Sequence, residues 1–261
     1  MLNVASMTEH FRHVVRGSGP GLLLAHGGGG SVEGNFGPIL DDLARTHTVV
    51  GPDYPGSGAT PRAEHPLDLD EVADELVAIA VGAGLERFAI LGYSLGTAVA
   101  VRATTRHPDR VTGLVLTSGF ARLDNRIRLA VDVWASLLHD DPRLLAKFLT
   151  LVATGRTHLE SLTPEQLATA VDQLAAFIPA GSPEQVGLVA QADTRAELAA
   201  IAVPTLVIAT TLDGLASPEL SRELADGIPG AGLVEIEAGH NIAVEAGDAW
   251  LAAIQKFLGG L

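Results

Sequence analysis

The chain has 261 residues, of which 47% are hydrophobic and 18% are charged, a composition typical of globular proteins and unlike that of disordered chains. Its 31 acidic and 17 basic residues give a net charge of −14, which would repel nucleic-acid phosphates and anionic membrane surfaces. The absence of cysteine excludes disulfides, a thiolate nucleophile and cysteine-ligated zinc. We therefore expect a single domain over residues 1–261, with neither nucleic acid nor a membrane as partner.

The N-terminal segment lacks the basic region and apolar run of a secretory leader, and no later segment reaches about 18 consecutive apolar residues. We expect a cytoplasmic protein, and the sequence leaves a homo-oligomer open. His10 and His13 are expected to be solvated strand residues. No set of histidines has the spacing of metal ligands.

Short apolar segments bounded by Gly, Pro or Asp have the length of β-strands. They lie at 21–25, 47–50, 88–91, 113–117, 204–209 and 232–236. Longer segments with helical spacing separate several of them, for example 68–82, where one apolar stripe contains Leu69, Val72, Leu76 and Ile79. This alternation of strands and helices predicts an α/β fold with a parallel sheet.

The alternation stops after residue 118. Residues 121–197 predict helices at 126–139, 142–153, 164–178 and 183–190 without a strand between them, which indicates a helical lid inserted between two strands. Its large apolar side chains are expected to form the lid core, and some of them to line a substrate pocket: Trp134, Leu137, Leu138, Phe148, Leu151 and Phe177. A final helix is expected at about 244–258.

The segment 92–96 (GYSLG) lies directly after the apolar run 88–91 and directly before a helix-forming segment, the context of a nucleophile elbow. Gly92 and Gly96 are the small residues that such a tight, strained turn requires. The turn would place Ser94 at a helix N-terminus, where the amides and the helix dipole favour negative charge. We predict that Ser94 is a nucleophile, against the alternative of a buried serine in a tight turn.

A nucleophilic serine needs a base, and the base needs a group that orients it. His240 follows Gly239 in the loop after the last predicted strand, and Asp213 follows the strand before it. Such loops at the carboxyl ends of strands hold the functional residues of open α/β sheets. We predict His240 as the base and Asp213 as the acid. Asp124, after the strand 113–117, is the less favoured alternative acid.

The oxyanion formed during attack requires a pair of backbone donors. The amide of Leu95 is one by position, and the amide of Gly28, in the segment 26–30 (HGGGG), is predicted as the other. The segment lacks the ending of a P-loop, so nucleotide binding is not expected. Four neighbouring residues are assigned to substrate binding: His26, Gly27, Gly29 and Tyr93. For His26, a structural hydrogen bond is nevertheless the favoured role.

Together these motifs, with DYPGSG at 53–58 and AGH at 238–240, resemble the α/β-hydrolase superfamily along nearly the whole chain. The family usually continues the second motif as Gly-x-Gly-x-Ser, whereas Ala59-Thr60 follows here, a departure in the entrance loop rather than in the triad. The resemblance implies a mostly parallel, doubly wound sheet flanked by helices, a lid over the site, no metal and no cofactor.

These features predict cleavage of an ester, thioester or lactone of a small to medium, partly apolar acyl compound through an acyl-enzyme on Ser94. Acyl transfer or acyl-group elimination on the same triad, in small-molecule biosynthesis, is one alternative. A non-catalytic ligand receptor on the same fold is another. A serine at position 94 argues against those reactions of this fold in which a carboxylate side chain is the nucleophile.

Overall fold

The computed structural model describes residues 11–261, so His10 and the first part of the N-terminal segment lie outside the described residues. The described chain folds around a seven-stranded sheet with the strand order β1-β3-β2-β4-β5-β6-β7. β1 is antiparallel to β3, and the other neighbouring strands are parallel. The strands are β1 (His13–Arg16), β2 (Gly21–Ala25), β3 (Thr48–Pro52), β4 (Phe88–Tyr93), β5 (Val111–Thr117), β6 (Thr205–Thr210) and β7 (Gly232–Ile236).

Two helical layers cover the two faces of the sheet, and side chains alternate between them along each strand. Leu22 and Leu24 of β2 face a core that includes Phe36 and Trp250, from α1 (Val32–Ala44) and α11 (Gly247–Leu258). Leu23 faces the opposite core, formed with α2 (Leu69–Gly82), α3 (Leu95–Arg106) and α9 (Pro218–Gly227). The predicted mostly parallel, doubly wound sheet flanked by helices is confirmed.

The sheet places two loops of the predicted site side by side. β2 lies between β3 and β4, so the chain turns to one side of β2 for β3 and to the other side for β4. The helices that follow, α1 after β2 and α3 after β4, pack on opposite faces. The loops after β2 and β4 therefore start next to each other at the carboxyl edge and lead to opposite faces of the sheet. Open α/β sheets form a ligand crevice at such a position.

Five α-helices lie between β5 and β6, and we call them the helical insertion: α4 (Asn125–Leu137), α5 (Pro142–Ala153), α6 (Arg156–Ser161), α7 (Pro164–Phe177) and α8 (Ser182–Gln191). Four of them match the predicted helices, and α6 is an additional short one. Trp134 is buried, as expected of a lid-core residue. Leu151 and Phe177 are 68% and 75% exposed, so their assignment to the lid core was wrong. Helical periodicity alone does not distinguish the two faces of an Ala- and Leu-rich helix.

The other boundaries agree closely with the prediction. Each of the six predicted strands is present, and β1 adds a seventh, in which His13 is exposed. The predicted last helix is divided into α10 (Ile242–Glu245) and α11. A single-turn 3-10 helix, Leu198–Ala200, precedes β6. Among residues 11–261, no helix has the length and apolar character that crossing a membrane requires.

Candidate active site

Ser94 lies at the sharp turn between β4 and α3. Its backbone has φ 55° and ψ −120°, a conformation rarely adopted by residues other than glycine. The turn is possible because Gly92 and Gly96 lack side chains: a Cβ at Gly92 would collide with the carbonyl of Gly96, and one at Gly96 with the carbonyl of Ala25. The predicted strand–turn–helix context around Ser94 is therefore present.

Ser94, His240 and Asp213 form a continuous series of hydrogen bonds. Nε2 of His240 lies 2.9 Å from Oγ of Ser94, and Nδ1 of His240 lies 2.7 Å from Oδ2 of Asp213. The Asp213 side chain is fully buried, and the His240 side chain is 7% exposed. In the tautomer that accepts the serine proton at Nε2, the Nδ1–H donates to the carboxylate. The structure thus brings together the three residues that the sequence selected.

The buried Asp213 carboxylate is held by several further donors. Oδ1 accepts hydrogen bonds from the amides of Leu215 and Ala216, both at 2.8 Å. Oδ2 accepts a hydrogen bond from Oγ1 of Thr210 at 3.0 Å, and Thr210 in turn accepts one from Ser118 at 2.9 Å. These donors replace the hydration that the carboxylate loses on burial. Asp124, the alternative acid, instead caps α4 by accepting from the amide of Ile127 at 2.8 Å.

The loop that carries His240 is fixed from two sides. The Tyr93 hydroxyl donates to the His240 carbonyl at 2.6 Å, and burial raises the pKa of Tyr93 well above its usual range, so the hydroxyl stays protonated. On the other side, the Glu245 carboxylate accepts from the amides of Gly239 at 2.7 Å and of Gly155 at 3.1 Å. The Gly155 contact links the His240 loop to the helical insertion.

Among the residues that the structure describes, the glycine loop after β2 presents one amide without a hydrogen-bond partner. The amide of Gly27 donates to Oδ1 of Asn35 at 2.9 Å, that of Gly29 to Oε1 of Gln185 at 2.8 Å, and that of Gly30 to the Gly27 carbonyl at 3.2 Å. Within the described part of the chain, the amide of Gly28 has no such partner.

The Leu95 amide is the first of α3, where an α-helix offers its amides no carbonyl. Gly28 also packs against this residue, since a Cβ built on Gly28 would lie 3.5 Å from Cδ2 of Leu95. The amides of Gly28 and Leu95 are therefore available as donors beside Ser94.

A cavity of about 160 Å³ opens beside Ser94 and His240. The glycine loop and Tyr93 line one side of it, and the helical insertion covers the other. Within residues 11–261, no Asp, Glu, Lys or Arg side chain lines this cavity, and no group of three His, Asp or Glu side chains is arranged to hold a metal ion. The insertion contributes apolar side chains and one indole to the lining: Ile127, Val131, Leu149, Leu174, Val189 and Trp134.

The structure corrects the assignment of His26 to substrate binding. Its side chain is fully buried and is not part of the cavity lining. Nε2 accepts from the amide of Tyr54 at 2.9 Å, so Nδ1 carries the proton and donates to the Gly27 carbonyl at 2.8 Å. Both ring nitrogens are therefore used inside the protein, which is the structural role favoured from the sequence. Gly27, Gly29 and Tyr93, in contrast, line the cavity.

Several residues of the site were not identified from the sequence. Gln185 is fully buried on α8, and it reaches the glycine loop 156 positions away in the chain. Thr210 directly follows the predicted strand 204–209, and neither it nor Asn35 was singled out from the sequence. The contact of Gln185 joins segments that are too far apart in the chain to leave a local pattern in a single sequence.

Comparison with known proteins identifies the family. A sequence model described as the alpha/beta hydrolase fold matches residues 20–246. The chain is 29% identical over 248 residues to a pyrrolizixenacetamide deacetylase from Xenorhabdus hominickii, a match that covers 94% of this chain and 93% of that protein. It is 32% identical over 259 residues to a pimeloyl-[acyl-carrier protein] methyl ester esterase from Aeromonas hydrophila, which covers 93% of this chain and 97% of that protein.

Among solved structures, the enol-lactonase from Burkholderia xenovorans superposes with a TM-score of 0.83 and is 25% identical. The superposition covers 95% of this chain and 96% of the lactonase. These relatives span most of the chain, and the family match includes the glycine loop, the elbow and the loop of His240. The chain belongs to the α/β hydrolase family.

Proposed function

We propose that the chain is a serine hydrolase that cleaves an ester-type bond of a small, partly apolar acyl compound through an acyl-enzyme on Ser94. The observation that carries the proposal is the hydrogen-bond series from Ser94 through His240 to buried Asp213, beside a cavity and an unpartnered Gly28 amide. Two of the relatives are named a methyl ester esterase and an enol-lactonase, which supports ester-type hydrolysis as the class. A third is named an acetamide deacetylase, which indicates an amide, so the names favour no single substrate.

In the first half-reaction, Nε2 of His240 takes the Ser94 proton while Oγ attacks the substrate carbonyl carbon. Negative charge develops on the carbonyl oxygen, where the amides of Gly28 and Leu95 donate hydrogen bonds to it. The Asp213 carboxylate stabilises the imidazolium through Nδ1–H. The intermediate collapses when the bond to the leaving oxygen breaks, and His240 protonates that oxygen.

In the second half-reaction, a water molecule gives its proton to His240 and attacks the acyl carbon. The resulting intermediate expels Ser94 Oγ, which recovers the proton from His240, and the free acid leaves. In this proposal the helical insertion is a lid on a single domain of residues 1–261, and it limits water and substrate access to the cavity. Its apolar lining suits an uncharged acyl group.

Covalent labelling tests the nucleophile. We expect a fluorophosphonate probe to add one adduct to the protein, which peptide mapping locates at Ser94. His240→Ala should abolish labelling because the serine then lacks its base, and Ser94→Ala should abolish ester turnover while ligand binding persists. Normal turnover by Ser94→Ala would disprove the assignment, and tight ligand binding without turnover or labelling would favour the receptor alternative.

Product analysis tests hydrolysis against the two related reactions. Hydrolysis releases the free acid, transfer gives a new ester when an alcohol is added, and elimination leaves a new double bond in the remaining molecule. We expect the free acid as the main product in water.

A further inference from the structure

The two tryptophans of the chain differ in how their indole N–H groups are used. Trp250 is fully buried, and its Nε1–H donates to Oγ1 of Thr117 at 3.0 Å. Trp134 on α4 is 7% exposed, and its Nε1 is buried without a hydrogen-bond partner among the described residues. Buried indole N–H groups normally find an acceptor, since a buried donor without one has lost its hydration and gained no bond in return. Trp134 therefore retains a donor for which no acceptor is present among the described residues, and because Nε1 is covered, a ligand oxygen reaches it only when the indole or its neighbours shift.

The position of this donor is set by the glycine loop. A Cβ on Gly29 would collide with Cζ2 of Trp134 and would lie 3.6 Å from its Cε2, the atom bonded to Nε1. Gly29 also has a φ of 67°, which favours glycine. The indole consequently packs directly on the residue that follows Gly28, and its ring forms part of the cavity wall.

The surroundings of Trp134 define the chemistry of its acceptor. The insertion side chains that share the wall are aliphatic, for example Ile127, Val131 and Val189. Within residues 11–261 the cavity lining contains neither Lys nor Arg, so a carboxylate there would be desolvated without a counter-charge. An indole N–H can only donate, so it cannot pair with an ammonium group. A carbonyl or ether oxygen accepts from it without adding a donor, whereas a hydroxyl would bring an O–H for which the aliphatic insertion side chains offer no acceptor. A cavity of about 150 Å³ accommodates benzene, so this cavity of about 160 Å³ restricts the enclosed group to a similarly small molecule.

We propose that the Trp134 Nε1–H binds a second, neutral oxygen atom of the substrate, separate from the carbonyl that Ser94 attacks. The inference rests on the proposed function of Ser94 and narrows its substrate class to small neutral esters or lactones with an additional keto, alkoxy or amide oxygen. Trp134 acts in specificity, and it takes no part in proton transfer.

Matched substrates that differ by one oxygen test the proposal. Methyl methoxyacetate and methyl butyrate have the same chain length, as do 2-methoxyethyl acetate and butyl acetate, so the two pairs place the extra oxygen on the acyl and the alcohol side. We compare the ratio of kcat/KM within each pair for the wild type and Trp134→Phe. The variant keeps an aromatic ring and loses the N–H, so one ratio should fall about five- to tenfold, the effect of one neutral hydrogen bond.

The apolar member of each pair controls for altered packing, because a change in the shape of the cavity affects both members of a pair and leaves their ratio to report on the N–H group. If the wild type cleaves these esters and both ratios are unchanged in the variant, the inference fails while the proposed function stands. If no ester is cleaved and Ser94 is not labelled, the inference on Trp134 and the proposed function of Ser94 fail together.

A spectroscopic measurement covers the case in which Trp134→Phe loses all activity through misfolding. In ¹⁵N-labelled Ser94→Ala protein the two tryptophans give two indole N–H signals. We expect the Trp134 signal to shift with methyl methoxyacetate or 2-methoxyethyl acetate, and much less with the matching apolar ester, while the Trp250 signal stays in place. Equal shifts with oxygen-containing and apolar esters, or no shift, would overturn the proposal.

Discussion

At the scale of single residues, the Asp213 carboxylate distinguishes the proposed site from a serine in a tight turn. It accepts four hydrogen bonds, from His240, Thr210 and the amides of Leu215 and Ala216. Asp213→Asn keeps the size of the side chain but removes the charge that stabilises the imidazolium and fixes its tautomer. We expect kcat to fall by a factor of about 10³–10⁴, as in other serine triads. Steady-state ester hydrolysis near neutral pH measures this.

Asp124→Asn is the matched control, because Asp124 is the alternative acid and an asparagine caps a helix about as well as an aspartate. Its side chain accepts from the Ile127 amide at the start of α4. We expect kcat within about threefold of the wild type and little change in stability. A larger loss of kcat in this variant than in Asp213→Asn would reverse the assignment of the acid.

At the scale of secondary-structure elements, α8 of the insertion is tied to the loop that carries Gly28. Nε2 of Gln185 donates to Oγ of Ser57 at 2.8 Å and to the Pro55 carbonyl at 3.0 Å, while Oε1 accepts from the Gly29 amide. The Ser57 hydroxyl donates to the Gly30 carbonyl at 2.6 Å. One side chain of the insertion therefore fixes the segment 26–30 relative to the segment 53–58, which makes Gln185 a positioning residue.

Gln185→Met should keep most of the packing and remove these hydrogen bonds. We expect kcat to fall about tenfold or more with a small change in KM, because a displaced Gly28 amide stabilises the transition state less than before but contributes little to ground-state binding. Gln191→Met is the control, since Gln191 lies on the same helix and is exposed. If the two variants have the same kcat, or if only KM changes in Gln185→Met, the positioning role is wrong.

At the scale of the whole molecule, the sequence predicts features that depend on residues close together in the chain and fails for contacts between distant segments. The elbow at Ser94 and the strands of the parallel sheet are set by neighbours in the sequence, and the order Ser94, Asp213, His240 follows from the order of those strands. Gln185 on α8 and Trp134 on α4 contact a glycine loop more than 100 residues away, so the sequence could not predict these two contacts. The exposure of Leu151 and Phe177 was misjudged because packing, and not composition, determines which face of an insertion helix is covered.

The stability of the whole fold should depend on pH through His26. Burial lowers the pKa of His26 from 6.5 to about 4, against a smaller opposite effect of its hydrogen bond to Gly27. Protonation at Nε2 would also remove the acceptor for the Tyr54 amide. Between pH 6.5 and about 4 the unfolded chain binds a proton that the folded chain does not, so the free energy of unfolding decreases as the pH falls through this window.

We expect the His26 contribution to be fully present above pH 6.5 and to decrease by about 3 kcal/mol on acidification to pH 4. Urea unfolding at a series of pH values measures it. His26→Gln should be less stable than the wild type at pH 7, since it disturbs two buried hydrogen bonds, but its stability should fall less between pH 6.5 and 4. His139→Gln, at an exposed position, should keep the wild-type pH dependence. Parallel curves for the wild type and His26→Gln would show that the buried imidazole is not the group responsible.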